Sequence, residues 1–87
     1  MTLSFPNESR SYDARGNVIR FWGYDSALVI PFFVEVSALH KLYPLTRTVE
    51  AGYLEAFDAV RDRIHETACK VYSRGSKASY LLAAADF

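Results

Sequence analysis

The first 35 residues alternate between apolar runs and turn-forming residues, a pattern typical of short β-strands. Residues 14–17 form the first predicted turn, because Gly16 and Asn17 both tolerate positive φ, and residues 23–26 form the second. After an extended lead-in over residues 1–7, the predicted strands cover residues 9–13, 18–24 and 27–35. They make a three-stranded antiparallel meander. Pro31 indicates an edge strand or a bulge, because proline cannot donate a ladder hydrogen bond.

The two longer predicted strands carry apolar side chains on both faces. A strand in a sheet with one solvated face should alternate cleanly between apolar and polar residues. Instead, Phe21 is followed by Trp22, and Phe32 is followed by Phe33. We therefore expect either helices on both faces of the sheet or one face that contacts another chain.

The second half of the chain has the residue spacing of amphipathic helices. A short helix is predicted over residues 38–43, with Ser37 as its N-cap. A long helix is predicted from Tyr53 to Arg74, with Thr48 as candidate N-cap and Gly52 at a bend. Its apolar stripe recurs every three or four positions, at Leu54, Phe57, Val60, Ile64, Ala68 and Val71.

A last strand over residues 79–84 completes a predicted α+β fold. The sheet is small and mainly antiparallel, consisting of the meander and the C-terminal strand, whose direction the sequence leaves open. One short and one long helix pack on it, and they can cover one face but hardly two. With 87 residues, the chain has the length of a single domain, residues 1–87.

The composition excludes several classes of protein. Hydrophobic residues make up 51% of the chain and aromatic residues 15%, which is too much apolar surface for a disordered segment. The single cysteine excludes a disulfide scaffold. Ten basic and ten acidic residues give a formal net charge of zero, which argues against a dedicated nucleic-acid-binding domain.

The expected location is the cytoplasm. Residues 1–6 lack the basic and apolar regions of a signal peptide. The longest apolar stretch, residues 27–34, is far shorter than the about 20 residues of a membrane-spanning helix, so no membrane partner is expected. One lone cysteine fits a reducing compartment.

Besides the predicted order of strands and helices, particular residues spread along nearly the whole chain form a recognisable pattern. The pattern consists of Phe5-Pro6, Tyr12-Asp13, residues 18–22, residues 33–35 leading into Ala38-Leu39, and the helical positions Phe57, Arg61, Ile64, Ala68 and Tyr72. At these positions the chain resembles the domain of unknown function family number 1488, a family of small bacterial proteins. The resemblance implies an α+β domain with strands first, helices next and a closing strand. It implies no catalytic residue, because the shared positions form a packing pattern.

His65 and Cys69 are the candidates for chemistry at a catalytic or metal site. At i and i+4 they share one face of the predicted helix, where an imidazole and a thiolate could ligate one metal ion or form a nucleophilic pair. A structural zinc site needs four ligands, and the only other histidine is His40, on the other helix. We therefore expect a helix-surface histidine and a cysteine beside the core, with no cofactor or metal. A small-ligand or metal-binding enzyme remains the alternative.

Nucleic-acid binding is a second alternative. The candidate contacts are Arg15, Arg20, Lys70, Arg74 and Lys77, with Trp22 or Tyr24 as a stacking platform. However, residues 1–47 hold five bases and four acids, and residues 48–87 hold five bases and six acids. The chain thus lacks an extended basic footprint, and the balance argues against this function.

The function that the sequence favours is a non-enzymatic interaction or accessory domain. The predicted strands carry apolar side chains on both faces, which gives more apolar surface than two helices can cover. Large exposed apolar patches mark contact sites. The expected contact surface centres on Trp22, Tyr24, Phe32 and Phe33. The expected partner is a second copy of the chain or an unknown protein.

Overall fold

A computed structural model describes residues 3–6, 9–72 and 78–87, and it confirms the predicted α+β class. The strands are β1 (Leu3–Ser4), β2 (Arg10–Asp13), β3 (Val18–Asp25), β4 (Leu28–Glu35) and β5 (Tyr80–Leu82). The helices are α1 (Val36–Leu42), α2 (Glu50–Ala59) and α3 (Arg61–Val71), and a 3₁₀ turn covers Ala84–Asp86. Within these described ranges, no helix combines the length and the apolar character that crossing a membrane requires.

The sheet is built around the β3–β4 hairpin. β2, β3 and β4 form the predicted antiparallel meander, and β1 adds a short pairing with the end of β3. β5 pairs with β4 in parallel, which settles the direction that the sequence left open. The interpretation of Pro31 was wrong, because β4 is a central strand between β3 and β5 and its register with β3 is continuous. Pro31 is tolerated just outside the β5 pairing, which begins at Phe32.

The two hairpin turns place non-glycine residues in the left-handed region. Asn17 has φ 54° in the first turn, as its residue type predicts. The second turn lies two residues later than predicted, with Ser26 at φ 56°, because Gly23 and Asp25 still pair with β4. Gly23 instead allows the Phe5 ring to pack closely against the backbone of β3, because a Cβ at this position would lie 2.9 Å from Cε1 of Phe5.

The predicted N-caps were wrong by one or two residues. α1 follows β4 directly, with Glu35 as its N-cap, because the Val36 amide donates a hydrogen bond to the Asn17 carbonyl and Ser37 already lies in the helix. α2 starts after Val49, not Thr48, because the Val49 carbonyl accepts the first helical hydrogen bond.

The predicted long helix is two helices, and the break is at Val60 rather than at Gly52. Val60 has φ −118° and ψ 20°, outside the helical region, and α3 starts at the next residue. A straight helix over residues 50–71 would be about 33 Å long, close to the 35 Å longest dimension of the protein. Gly52 lies inside α2, where a Cβ would collide with the backbone carbonyl of Arg47.

The hydrophobic core lies between the helices and one face of the sheet, which we call the inner face. Phe21 of β3, Phe32 of β4 and Phe57 of α2 are fully buried there, and the Phe21 ring lies 5.3 Å from each of the other two. Ile64 of α3 and Leu82 of β5 complete the same cluster. The sheet therefore has its described helices on one face, as the sequence predicted.

The predicted last strand is shorter than expected. It ends at Leu82, and the chain then turns into the 3₁₀ segment, which packs on α1. The Lys41 ammonium donates hydrogen bonds of 3.0 Å to the carbonyl oxygens of Ala84 and Phe87. This contact ties the end of the described chain to the helical layer.

Candidate functional site

The candidate site is the face of the sheet opposite the core, which we call the outer face. Successive residues in a strand point to opposite faces, so the core positions of β3, β4 and β5 identify the outer ones. Within the described residues, no helix packs on this face. Its residues on these three strands are Val18, Arg20, Trp22, Tyr24, Val29, Pro31, Phe33, Glu35 and Leu81.

The apolar residues of the outer face form one contiguous patch across the strands. Trp22 is paired with Pro31, and Tyr24 is paired with Val29, so four apolar side chains lie side by side at the hairpin end. Phe33 is paired with Leu81 of β5 and extends the patch to the edge of the sheet. Val29, beside the hairpin turn, is 52% exposed, and Leu81, on the edge strand β5, is 54% exposed, so both apolar side chains are open to solvent.

Charged side chains lie at the opposite end of the outer face. The Arg20 guanidinium lies over the Trp22 ring, 5.4 Å from its centroid, in a cation–π contact. Glu35 is paired with Val18 at the end of β4, and Asp13 flanks Val18 on the other side. The face therefore carries both signs of charge beside a large apolar patch.

Three of the four residues predicted for the contact surface meet on the outer face. Trp22, Tyr24 and Phe33 are partly exposed there. Phe32 is not part of the surface: it is fully buried on the inner face, where its ring stacks on Phe21 and Tyr80. Phe32 and Phe33 cannot share a face, because consecutive strand residues point in opposite directions.

His65 and Cys69 do not form a site with other ligands. His65 stacks on Phe5, with ring centroids 4.0 Å apart and planes 7° from parallel, which places the imidazole against the core. Cys69 is exposed, and partial burial raises the pKa of its thiol, so the reactive thiolate is disfavoured. Across the described part of the chain, no group of three or more histidine, cysteine or acidic side chains could hold a metal ion.

The cations proposed for nucleic-acid contact are dispersed over the protein. Arg20 lies on the outer face, Lys70 lies on α3 in the helical layer, and Arg15 lies in the first hairpin turn. Arg74 and Lys77 lie outside the described residues. The described cations therefore do not form one continuous basic surface.

An ionic cluster that sequence reasoning missed joins β2 to the helices. Arg10 donates two hydrogen bonds to the Asp58 carboxylate, of 2.9 and 2.7 Å, and Arg61 donates a third. Partial desolvation raises the pKa of Asp58, but the hydrogen bonds and charges of Arg10 and then Arg61 outweigh it, and the pKa is lowered. The contact between Arg10 and Asp58 spans 48 residues and left no local signal in the sequence, whereas Arg61 is only three positions from Asp58.

Comparisons with known proteins agree with the family resemblance and assign no activity. The sequence model of a family described as "Protein of unknown function (DUF1488)" matches residues 3–83. A crystal structure of a protein of unknown function from the same family, from Shewanella loihica PV-4, is similar at 20% identity with a TM-score of 0.75. The similarity covers 91% of this chain and 93% of that chain, and it shows a shared fold. A comparison with curated proteins found no match.

Proposed function

Because the chain belongs to the DUF1488 family, whose description states no activity, we propose a function from the geometry: a non-enzymatic interaction module that self-associates through the outer face. The observation that carries the proposal is the patch of Trp22, Tyr24, Val29, Pro31, Phe33 and Leu81 on a face that no described helix covers. Contiguous exposed apolar patches of this kind mark interaction sites.

The dimensions of the outer face suit a weak dimer. β3 and β4 run along its full length of about 26 Å at standard strand spacing. The face is about 19 Å wide only where β2 flanks β3 and β5 flanks β4, and it is narrower at the hairpin end. Two such faces would bury roughly 800 Å² in total, which is within the range of small, transient contacts. We therefore expect reversible association rather than an obligate dimer.

A second copy is the partner that fits the charges best. The face carries Arg20 as well as Glu35, so it is complementary to itself, and the whole chain has a formal net charge of zero. A phosphate backbone would instead need several cations, and the described part of this face offers a single arginine beside two acids. We further propose that the module acts in the cytoplasm, which suits a protein with one exposed thiol.

The test uses a matched pair of valine substitutions. Val29 lies on the outer face and is 52% exposed, and Val49 precedes α2 and is 53% exposed. Sedimentation equilibrium from about 1 μM to 1 mM should show a concentration-dependent dimer for the wild type and for Val49→Lys, but a monomer for Val29→Lys. Because both sites are on the surface, each substitution should change the free energy of unfolding by about 0.5 kcal/mol or less.

Two results would contradict the proposal. A wild-type protein that stays monomeric up to millimolar concentration would show that the outer face does not bind a second copy. Equal dimerisation of Val29→Lys and the wild type would show that the copies associate through another surface.

A further inference from the structure

The acidic residues of the outer face and its Trp22 and Tyr24 rings lie at opposite ends of the strands. At the end where β4 leads into α1, the face carries Asp13, Val18 and Glu35, and the next row carries Arg20 beside Phe33 and Leu81. At the hairpin end, Trp22 lies beside Pro31 and Tyr24 lies beside Val29. The carboxylates are therefore confined to one end of the face, the hairpin end is apolar, and Arg20 lies in a mixed row between them.

This segregation distinguishes the two simple ways of stacking the face on a second copy. In both, the strands of the two sheets are nearly aligned, as in most packed sheets, and a two-fold axis lies in the plane of the interface. If the axis runs across the strands, the charged end of one copy covers the apolar end of the other. Glu35 would then lie over Tyr24 or Val29 of the second copy, where a carboxylate loses water and gains no partner.

If the axis runs parallel to the strands, between β3 and β4, like ends meet. β3 of one copy then faces β4 of the other, so Trp22 covers Pro31 of the second copy and Tyr24 covers Val29. Arg20 and Glu35 of the second copy are offset by two residues along the strands, about 6.6 Å, across sheets about 10 Å apart. Their Cα atoms are therefore about 12 Å apart, within the combined reach of an arginine and a glutamate side chain.

We propose that two copies pack face to face around a two-fold axis parallel to β3 and β4, with Arg20 of each copy paired to Glu35 of the other. This inference rests on the proposed self-association and adds its symmetry and its specificity-determining residues. The pair occurs twice in the dimer, because an isologous interface repeats every contact. To reach Glu35 of the second copy, the Arg20 guanidinium has to swing away from the Trp22 ring, because Trp22 and Glu35 lie on opposite sides of Arg20 along the strands. Glu35 accepts a hydrogen bond from the Ser37 hydroxyl at 3.4 Å.

A charge exchange between two copies tests this pairing. Arg20→Glu alone places two acids at each contact, and Glu35→Arg alone places two arginines there, so each variant should dimerise at least about ten-fold more weakly than the wild type. An equimolar mixture restores opposite charges at both contacts and should form a heterodimer close to wild-type affinity. Sedimentation equilibrium with one variant fluorescently labelled measures all three affinities.

The control pair carries the same charge changes away from the outer face. Arg63 and Glu66 are exposed on α3, so Arg63→Glu and Glu66→Arg should each dimerise like the wild type, alone and mixed. This control excludes a simple attraction between oppositely charged proteins as the cause of the rescue.

The possible outcomes separate the two proposals. Weakening by both outer-face variants together with rescue in the mixture supports the parallel axis. A wild-type dimer that either variant leaves unchanged, or that the mixture does not restore, overturns the pairing while self-association stands. A wild type that is monomeric throughout overturns both.

Discussion

Phe32 and Phe33 are neighbours in β4 that face opposite sides of the sheet, and this makes them a sharp test of the two-faced architecture. The Phe32 ring is fully buried against the rings of Phe5, Phe21 and Tyr80, at centroid distances of 5.3–6.0 Å. Phe33 is partly exposed on the outer face. Removal of the first ring therefore opens a cavity in the core, and removal of the second mainly reduces the contact patch.

The magnitudes differ enough to be measured. Phe32→Ala should lower the free energy of unfolding by about 3–5 kcal/mol, the usual range for a buried phenylalanine. A chain of 87 residues has a total stability of about 4–13 kcal/mol, so this variant could be largely unfolded. Phe33→Ala should lower the stability of the monomer by about 1 kcal/mol or less, as expected for a surface position.

Urea denaturation followed by circular dichroism, at a concentration where the protein is monomeric, measures both values. The same two variants should show the reverse order in self-association, because Phe33 lies in the proposed interface. If the two substitutions cost equal stability, or if Phe33→Ala costs more, the β4 register is shifted by one residue and the assignment of the faces is wrong.

Three further expectations concern the helical layer. Ile64→Ala should cost about 2–5 kcal/mol, because Ile64 is fully buried in the core, and thermal melting should show a much larger shift than for Arg63→Ala on the exposed side of α3. The pKa of Asp58 is lower in the folded protein than its value of about 3.8 in the unfolded chain. The ionised carboxylate therefore contributes its full stabilisation above about pH 3.8, and this stabilisation is lost as the pH falls through the folded-state pKa. Asp58→Asn should therefore be less stable than the wild type at pH 7, and the difference should narrow as the pH falls below about 3.8 in urea titrations. A difference independent of pH would contradict the sign. Cys69 should react with iodoacetamide more slowly than free cysteine at pH 8, because its raised pKa keeps it protonated, and faster reaction would indicate an activated thiol.

The strands and the general layer order could be predicted from the sequence because their signals are local. β-branched and aromatic runs mark β3 and β4, and Asn17 marks the turn between β2 and β3. Because one short and one long helix can cover only one face of a sheet, the sequence also predicted helices on one face alone. The face of each side chain follows from alternation alone, so the sequence already contained the reason to separate Phe32 from Phe33.

The break at Val60 could not be predicted, because it has neither glycine nor proline to mark it. The apolar stripe continues across it from Phe57 to Ile64 with helical spacing, so periodicity alone favours one helix. The sequence predicted a bend at Gly52, but this glycine lies within α2, where the absence of a Cβ lets the Arg47 carbonyl pack against the helix. That approach depends on how the preceding loop packs, which no local pattern shows.

Contacts between distant segments were also beyond sequence reasoning. The Tyr72 hydroxyl donates a 2.7 Å hydrogen bond to the buried Asp25 carboxylate, and the two residues are 47 positions apart. The stacking of His65 on Phe5 joins α3 to the residue after β1 in the same way. Such contacts depend on the assembled tertiary structure, so His65 could be identified as a chemical candidate but not as a packing residue.

The single tryptophan provides the most direct measurement of the central claim, because Trp22 lies within the outer face. Its fluorescence emission and its quenching by acrylamide can be followed while the protein concentration is raised and the mass is measured in parallel. If a second copy covers this face, the emission shifts to shorter wavelength and the quenching falls as the mass rises from 9.8 kDa towards twice that value. Emission and quenching that stay constant while the mass doubles would contradict the account, because Trp22 would then remain in water within the dimer.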